Sequence, residues 1–267
     1  MPDAPLRRSG CRPRLRAVLW DVDGTLAETE RDGHLVAFNA TFEESGLPWR
    51  WSEQRYAGLL RVAGGFERLL HFLDSEPLAP RSELERQSLA RRLHRRKNEL
   101  YVQRVERGAV ALRPGVRELM DDCTRAGVAL AIVTTTSRGN AEALLRVTLG
   151  DAWRPLFASV VCAEDAPRKK PDPEAYRTAL ERLGLEPHEA IAIEDSPAGL
   201  ESACAADVPV MLVRSRFFDD AAAHAAVAAG PSLGSTVGWT PEPTAPSGRI
   251  DLAQLRAWHR PVAGTLR

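Results

Sequence analysis

The segment LRAVLWDVDGT, residues 15–25, joins a short apolar run to two closely spaced aspartates. The run, residues 15–20, is long enough for one buried strand and no longer. Asp21 and Asp23 follow it directly, and because alternate residues of a strand share a face, this spacing would crowd two carboxylates together. Asp, Gly and Thr also favour solvated turns, so the spacing alone leaves a charged site and an ordinary turn as equal alternatives.

The composition of the 267-residue chain is typical of a soluble globular protein, with 44% hydrophobic residues, 27% charged residues and no net formal charge. This balance favours neither nucleic acid nor a membrane surface as a partner, and we expect a cytoplasmic monomer. The basic N-terminal segment precedes an apolar run too short for a signal peptide or a membrane span. The cysteines form no C-x-x-C pair, which predicts reduced thiols rather than disulfides or a zinc site. They are Cys11, Cys123, Cys162 and Cys204.

Short apolar runs alternate with amphipathic stretches along most of the chain. Helical stripes of apolar residues, with Pro near the start and Gly at the end, occupy residues 114–127 and 171–184. Such alternation predicts an α/β protein with a Rossmann-like parallel sheet covered on both faces. The predicted strands are residues 15–20, 128–133, 190–193 and 208–213.

Two segments depart from this alternation. Residues 30–108 contain no comparable strand run and predict a helical insert in an α/β core formed by residues 1–29 and 109–230. The arginine-rich stretch 82–108 suits a solvated helix face, or alternatively a surface that attracts anionic ligands. Residues 231–267 are rich in Pro and Gly and predict a loop-like or disordered tail, with a short closing helix over 251–258 that could dock back.

Polar residues follow three of the predicted strands at the point where each strand ends. Asp21 and Asp23 follow the first, residues 134–137 (Thr-Thr-Thr-Ser) the second, and Glu194 with Asp195 the third. Because parallel sheets bind ligands outside the carboxyl ends of their strands, these side chains are expected to converge. Converging carboxylates suit a hard divalent cation such as Mg²⁺, which also leaves room for a phosphate.

A lysine in RKKPDP, either Lys169 or Lys170, would complete a phosphate-binding site. Taken singly, each of these features has an ordinary structural explanation. The lysines suit surface charges, the hydroxyls of residues 134–137 suit a helix cap, and Glu194 with Asp195 suit the cap of the helix that follows Pro197.

Taken together, four ordered motifs resemble those of the haloacid-dehalogenase-like (HAD) phosphohydrolases. The motifs are DVDGT (21–25), VTTTS (133–137), KKPDP (169–173) and IEDSPAG (193–199). Four further segments are similar to the CbbY-like subfamily of sugar-phosphate phosphatases, which are related to β-phosphoglucomutases. These segments are TERDGHLVAFN (29–39), RVAGGFERLLHFL (61–73), LHRRKNELY (93–101) and LRPGV (112–116).

The resemblance implies roles for individual residues. Asp21 is similar to the nucleophile that forms an aspartyl-phosphate, and Asp23 to the general acid and base. Thr135 matches the second-motif hydroxyl by a margin of one residue, and Lys170 matches the third-motif lysine. The implied Mg²⁺ ligands are Asp21, Asp23, Glu194 and Asp195.

The helical insert resembles the C1 cap of this family, which encloses the substrate. The resemblance implies substrate contacts at Glu30, His34, Gly64, Gly65, Arg68, Thr136, Ser137 and Arg138. One departure is Phe66, which stands where the subfamily commonly has a lysine. An aromatic ring cannot pair with a phosphate, so a substrate's second phosphate would need another cation, such as Lys97 or an arginine of the insert.

The function expected from the resemblance is a Mg²⁺-dependent phosphatase of a small sugar phosphate, such as xylulose 1,5-bisphosphate. The alternatives are a β-phosphoglucomutase-type phosphotransferase, a phosphoglycolate phosphatase, and a catalytically silent binding module. The motifs do not separate hydrolase from mutase. Dehalogenation is disfavoured because Asp23 is present and dehalogenating relatives generally lack the second aspartate.

Overall fold

The computed structural model describes residues 14–244 and 247–259. Its centre is a six-stranded parallel sheet with the strand order β3-β2-β1-β4-β5-β6. The strands are β1 (Ala17–Trp20), β2 (Ala129–Val133), β3 (Ser159–Val161), β4 (Ala190–Glu194), β5 (Val210–Val213) and β6 (Ala228–Gly230). This parallel sheet with flanking helices confirms the predicted fold class.

The first predicted strand lies at the centre of the sheet and is buried on both faces. Val18 and Trp20 pack into one hydrophobic layer, whereas Ala17 and Leu19 pack into the layer on the opposite face. This alternation follows from the two-residue period of a strand, and burial on both sides explains why the run contains no polar residue after Arg16.

Helices cover both faces of the sheet. The two predicted amphipathic stretches form α5 and α7, and the apolar positions of α5 are buried as their spacing requires. The α-helices within the described residues are α1 (Val36–Glu44), α2 (Glu53–Leu59), α3 (Gly65–Ser75), α4 (Glu83–Glu106), α5 (Val116–Arg125), α6 (Arg138–Leu149), α7 (Glu174–Leu183), α8 (Pro197–Ala205) and α9 (Leu252–His259). Short 3₁₀ turns lie at Asp151–Leu156 and Pro187–Glu189, and none of the described helices is long and apolar enough to span a membrane.

The segment between β1 and α5 is helical and has a hydrophobic core of its own. It begins with a π-helix at Glu30–Leu35 and continues through α1 to α4. Phe38, Phe42, Trp51 and Phe72 pack against one another, with ring centroids 4.7–6.4 Å apart. These aromatic contacts form a cluster separate from the two hydrophobic layers that pack on the sheet.

The described part of the C-terminal segment, residues 231–244 and 247–259, packs on the core. The predicted closing helix is α9, and its Trp258 stacks on Trp239 with ring centroids 5.0 Å apart. Leu233 and Ile250, from the irregular stretch between β6 and α9, are buried in the same layer. Among the cysteines, Cys123, Cys162 and Cys204 carry free thiols, and Cys11 lies outside the described residues.

Candidate active site

The carboxyl ends of three neighbouring strands meet at one edge of the sheet. In the strand register Trp20 lies beside Ile132 of β2 and Ile193 of β4. The backbone N–H of Asp21 continues this pairing by donating to the carbonyl of Ile193 at 3.1 Å. Asp21 therefore lies next to Glu194, as the sequence predicted.

Lys170 connects the carboxylates at this edge. Its ammonium donates to Asp21 Oδ1 at 2.7 Å, to Glu194 Oε1 at 2.6 Å and to the carbonyl of Val133 at 2.8 Å. All three donor positions of the lysine are therefore satisfied within a buried site. Burial disfavours the ammonium, but Asp21 and Glu194 outweigh it and raise the pKa of Lys170 above its usual value.

Three buried carboxylates form a cluster beside this lysine. Oxygen atoms of Asp21, Glu194 and Asp195 all lie within 4.8 Å of one another. Burial raises the pKa of Asp21 to about 7, a rise that Lys170 opposes and Glu194 reinforces. Burial, together with Asp21, also raises the pKa of Asp195 well above its usual value. Crowding of this kind disfavours the ionised state of Asp21 and Asp195 unless a further cation binds.

The chemistry of this cluster suits a hard cation. Glu194 Oε2 is buried and makes no hydrogen bond to the protein. Two glycines leave the carboxylates room. A Cβ on Gly24 would lie 2.0 Å from Asp195 Oδ2, and one on Gly199 would lie 1.9 Å from Glu194 Oε2. An all-oxygen, anionic set of this kind fits Mg²⁺.

The carboxylate of Asp23 points away from this cluster and toward the helical insert. Its Oδ1 accepts a 2.5 Å hydrogen bond from Thr29 Oγ1 and lies 3.0 Å from His34 Nε2. The structure therefore does not bring this side chain into the predicted set of metal ligands. The reason is that β1 ends at Trp20 and the chain turns at Gly24, which has a φ of +85°, so strand alternation does not extend to Asp23.

A short polar chain connects Asp23 to the longest helix of the insert. Lys97 Nζ lies 2.8 Å from His34 Nδ1, and the His34 ring stacks on Tyr101 at 4.1 Å. Because a carboxylate only accepts, His34 Nε2 carries the hydrogen and Nδ1 accepts from Lys97. Burial raises the pKa of an isolated carboxyl, but His34 and Thr29 outweigh it and lower the pKa of Asp23 to about 2.

A second group from the insert faces the cavity above Asp21. Tyr56 donates to Glu30 Oε2 at 2.5 Å and accepts from the guanidinium of Arg68 at 2.9 Å. Glu30, Gly64 and Arg68 line this cavity together with Asp21 and Asp23. Tyr56 was missed in the sequence because a single aromatic residue in a helix is typical of a hydrophobic core.

The hydroxyl-rich segment contributes to the cavity unevenly. Thr134 and Thr135 both line the cavity at Asp21, whereas Thr136 and Ser137 line its extension toward the insert. The Thr134 hydroxyl accepts from the backbone N–H of Thr136 at 3.1 Å, which leaves its own hydrogen free to donate. The structure therefore brings both candidate hydroxyls to the cavity.

Arg138 is not brought into the cavity. Its guanidinium is hydrogen-bonded to Asp165, and its backbone N–H donates to the Glu164 carboxylate at 3.0 Å. The physical reason is that Arg138 begins α6, where the chain turns its side chain toward the loop after β3. The predicted substrate contact at Arg138 thus differs from what the structure shows.

Comparison with known proteins identifies the family. Residues 15–207 match the model of the haloacid dehalogenase-like hydrolases. This chain is a member of that family. It is 42% identical over 255 residues to the plasmid-encoded protein CbbY of Cupriavidus necator, an alignment that covers 94% of this chain and 98% of the relative. It is also 30% identical over 194 residues to a phosphorylated carbohydrates phosphatase of Thermotoga maritima, covering 73% of this chain and 82% of the relative.

A solved structure supports the same relationship. CbbY from Rhodobacter sphaeroides, as an aspartate-to-asparagine variant in complex with xylulose 1,5-bisphosphate, superposes with a TM-score of 0.77 at 36% identity. The match covers 84% of this chain and 97% of the other. This HAD hydrolase is therefore a CbbY-like phosphatase, an enzyme that hydrolyses phosphate esters.

A further residue of this HAD hydrolase, Arg113, holds the loop next to Asp23. Its guanidinium donates to four main-chain carbonyls, with that of Gly24 among them. The other three carbonyls belong to Val213, Arg214 and Pro231, which lie at or beyond the ends of two distant strands. Arginine offers five donors in a planar fork, so it can bind several carbonyls that a lysine could not reach together. No local sequence pattern indicates such long-range contacts.

Proposed function

We propose that this chain is a Mg²⁺-dependent phosphatase that hydrolyses a small sugar phosphate through an aspartyl-phosphate on Asp21. The observation that carries the proposal is the position of Asp21, which contacts Lys170 on one side and belongs to an acidic cluster on the other. A nucleophile that attacks a phosphate needs cationic neighbours, because two anions otherwise repel each other.

Asp21, Glu194 and Asp195 are the side chains that would hold Mg²⁺. When bound, the ion would neutralise charge on the transferring phosphoryl group and lower the pKa of Asp21. Lys170 contributes in the same direction from within the protein, since its ammonium already donates to Asp21 Oδ1 at 2.7 Å. A hydroxyl of residue 134 or 135 would donate to a phosphoryl oxygen.

In the first step an oxygen of Asp21 forms a bond to phosphorus as the bond between phosphorus and the sugar oxygen breaks. The leaving oxygen needs a proton, and Asp23 is the carboxyl group on the insert side of the cavity. His34 Nε2–H is placed to pass that proton to Asp23 while Lys97 Nζ–H replaces it at Nδ1, so the ring stays neutral and the proton comes from the Lys97 ammonium. In the second step water attacks the aspartyl-phosphate, and ionised Asp23 accepts a proton from it, which restores Asp21 and releases inorganic phosphate.

Xylulose 1,5-bisphosphate is the substrate that we propose within this class. The support is the relationship to CbbY, whose complex contains that compound, together with the basic side chains that the insert presents to the cavity. Arg68 and Lys97 from the insert and Lys169 from the core line the part of the cavity beyond Asp23. A substrate with an anionic group at each end matches this distribution of charge.

Phosphate release from xylulose 1,5-bisphosphate, measured with Mg²⁺ and again with EDTA, tests the proposal. We expect activity that EDTA abolishes and that Asp21→Asn removes by several orders of magnitude, because the nucleophile is lost. Asp220→Asn, an exposed carboxyl outside the cavity linings described above, is the control and retains full activity. Activity that survives both Asp21→Asn and EDTA would refute the mechanism.

A xylulose monophosphate in the same assay separates a hydrolase from a mutase. Steady release of phosphate without a bisphosphate primer is expected, because water then accepts the phosphoryl group. A requirement for priming would instead assign the chain to phosphoryl transfer within a sugar.

A further inference from the structure

The cavity extends past Asp23 into a basic region between the insert and the core, which we call the distal compartment. Besides His34, which already contacts Asp23 and Lys97, its lining includes four nitrogen-bearing side chains that are cations or can become cations, of which three come from the insert and one from the core. They are Arg68, His94, Lys97 and Lys169. Two acidic side chains from the insert, Glu30 and Glu67, lie against them.

Three of these four side chains are either uncharged or bound to buried groups of the protein. Burial, together with the charge of Lys97, lowers the pKa of His94 to about 3, so its ring is neutral. Burial lowers the pKa of Lys97 to about 7, and its nitrogen contacts His34 Nδ1 at 2.8 Å. Arg68 is buried and donates to Tyr56, with Glu30 at 3.9 Å.

Lys169 differs from these three in the nature of its partner. Its ammonium donates to Glu67 Oε2 at 2.6 Å, and the Glu67 side chain is 42% exposed. An ion pair with a half-exposed carboxylate is weak, because solvent screens it and both side chains lose rotational freedom. A ligand anion with more oxygens can therefore share or replace Glu67 as the partner of this ammonium.

The backbone leaves space for this ammonium in the cavity. A Cβ on Gly64 would lie 2.4 Å from Lys169 Nζ and 2.2 Å from Glu67 Oε2. Gly64 also has a φ of +90°, which side-chain-bearing residues rarely adopt. A glycine at this position therefore permits both the turn before α3 and the entry of Lys169 from the core.

Position 66, which follows Gly64 and Gly65, supplies no charge. Phe66 packs with the apolar residues of the insert, and its ring lies edge-on to His94 with centroids 6.3 Å apart. Phe66 does not belong to the described lining of the distal compartment. A cation for an anionic group in this compartment must come from another element of the fold.

We propose that Lys169 binds the second anionic group of a doubly charged substrate, and so makes this enzyme prefer bisphosphates over monophosphates. The inference rests on the proposed function, since it requires one phosphate at Asp21 while the other occupies the distal compartment. The selectivity is thus supplied by the core segment that also carries Lys170, and not by the insert residue at position 66.

The test compares kcat/KM for xylulose 1,5-bisphosphate with kcat/KM for the two xylulose monophosphates. Lys169→Met is expected to lower the ratio of bisphosphate to monophosphate about tenfold or more, mainly through KM, because one charge-assisted contact is lost. Glu67→Gln is expected to raise the same ratio severalfold, because it frees the ammonium from its internal partner. Arg168→Met is the matched control, since Arg168 is the adjacent basic residue, 66% exposed and paired with Asp172 and Glu174.

Lys169→Met and Glu67→Gln are expected to change the ratio of bisphosphate to monophosphate kcat/KM in opposite directions, which a general loss of folding or activity would not do. Equal losses on all three substrates in Lys169→Met would overturn the inference, because they would indicate disturbance of the neighbouring Lys170. A ratio that falls equally in Arg168→Met would also overturn it, since the effect would then be general electrostatics. If the unaltered chain releases no phosphate from any of the three compounds, the proposed function itself fails, whereas activity with an unchanged ratio removes only the role of Lys169.

Discussion

Replacing Arg113 by methionine tests whether the loop beside Asp23 is held by long-range hydrogen bonds. The guanidinium donates to the carbonyl of Gly24, to that of Val213 at 3.1 Å, to that of Arg214 at 2.6 Å and to that of Pro231 at 3.0 Å. Methionine keeps much of the apolar stem and removes all of the donors. The substitution therefore isolates the hydrogen bonds from the packing.

The structure sets the size of the expected effect. A hydrogen bond to a charged group contributes about 1.5–3 kcal/mol to stability. A buried carbonyl that loses its donor and cannot reach water costs the folded state its full desolvation penalty. Gly24 and Val213 are buried, whereas Pro231 is exposed and would be rehydrated. We therefore expect Arg113→Met to lower the free energy of unfolding by about 3–5 kcal/mol, a large part of the stability of a typical domain.

Urea denaturation followed by circular dichroism measures this change as a lower midpoint with an unchanged slope. Arg117→Met is the control, because Arg117 donates to one carbonyl, that of Thr148 at 3.0 Å, at an exposed site. Its effect is expected to stay within about 0.5 kcal/mol. If Arg113→Met lowers the free energy of unfolding by less than about 1 kcal/mol, water satisfies the carbonyls in its place and the reasoning is refuted.

Three further predictions concern the proposed metal site and the tail. In the folded, metal-free protein the pKa of Asp21 is about 7, whereas in the unfolded chain it is 3.8, so the free energy of unfolding falls as the pH rises from 3.8 to 7. Mg²⁺ binds the ionised carboxylate, so the rise in melting temperature on adding Mg²⁺ is expected to be larger at pH 8 than at pH 6. Equal rises at both pH values in differential scanning fluorimetry would contradict this. Gly199→Ala is expected to abolish activity, because its Cβ would lie 1.9 Å from Glu194 Oε2, whereas Gly139→Ala, with nothing within 4 Å, retains activity and gains about 0.5 kcal/mol. Trp258→Ala is expected to lower the unfolding free energy by about 3–5 kcal/mol in urea denaturation, and a change under about 1 kcal/mol would mean that the tail does not stabilise the core.

The central strands and the residues at their carboxyl ends could be predicted because both have strong local signals. An unbroken apolar run predicts a strand buried on both faces, and β1, β2, β4 and β5 each lie within the predicted runs or one residue beyond them. β3 and β6 were missed because each has three residues, and the Ala-Ala-Gly of β6 has little strand propensity. Their strand structure comes from pairing with β2 and β5 at the edges of the sheet.

The polar contacts of the insert were less predictable from sequence than those of the core. The segments that carry Asp21, Lys170 and Glu194 each follow a recognisable strand or motif, so their convergence follows from the topology of a parallel sheet. Tyr56 lies in a helix with no such signal, and its role depends on a tertiary contact with Arg68. A side chain whose role depends on contacts with residues distant in the sequence produces neither a periodic pattern nor a motif from which that role could be predicted.

The orientation of Asp23 shows how a single turn places two neighbouring carboxyl groups in different electrostatic environments. Asp21 is surrounded by core residues, and burial with Glu194 raises its pKa to about 7 despite Lys170. Asp23, two residues later, is surrounded by the insert, where His34 and Thr29 lower its pKa to about 2 against the effect of burial. The nucleophile and the proton acceptor of the proposed mechanism thus come from the same short segment but have pKa values shifted in opposite directions.

This separation makes the state of Asp23 depend on contact between the insert and the core. Thr29 directly precedes the insert, His34 lies in its first helix, and Lys97 on α4 contacts the opposite nitrogen of the His34 ring. A molecule with the insert displaced would keep Asp21, Lys170 and Glu194 together, because these come from the sheet edge alone, but Asp23 would lose the histidine that tunes it. The contact that encloses the cavity is also the contact that gives Asp23 its histidine partner, so in the proposed mechanism proton transfer by Asp23 is coupled to the enclosure of the substrate.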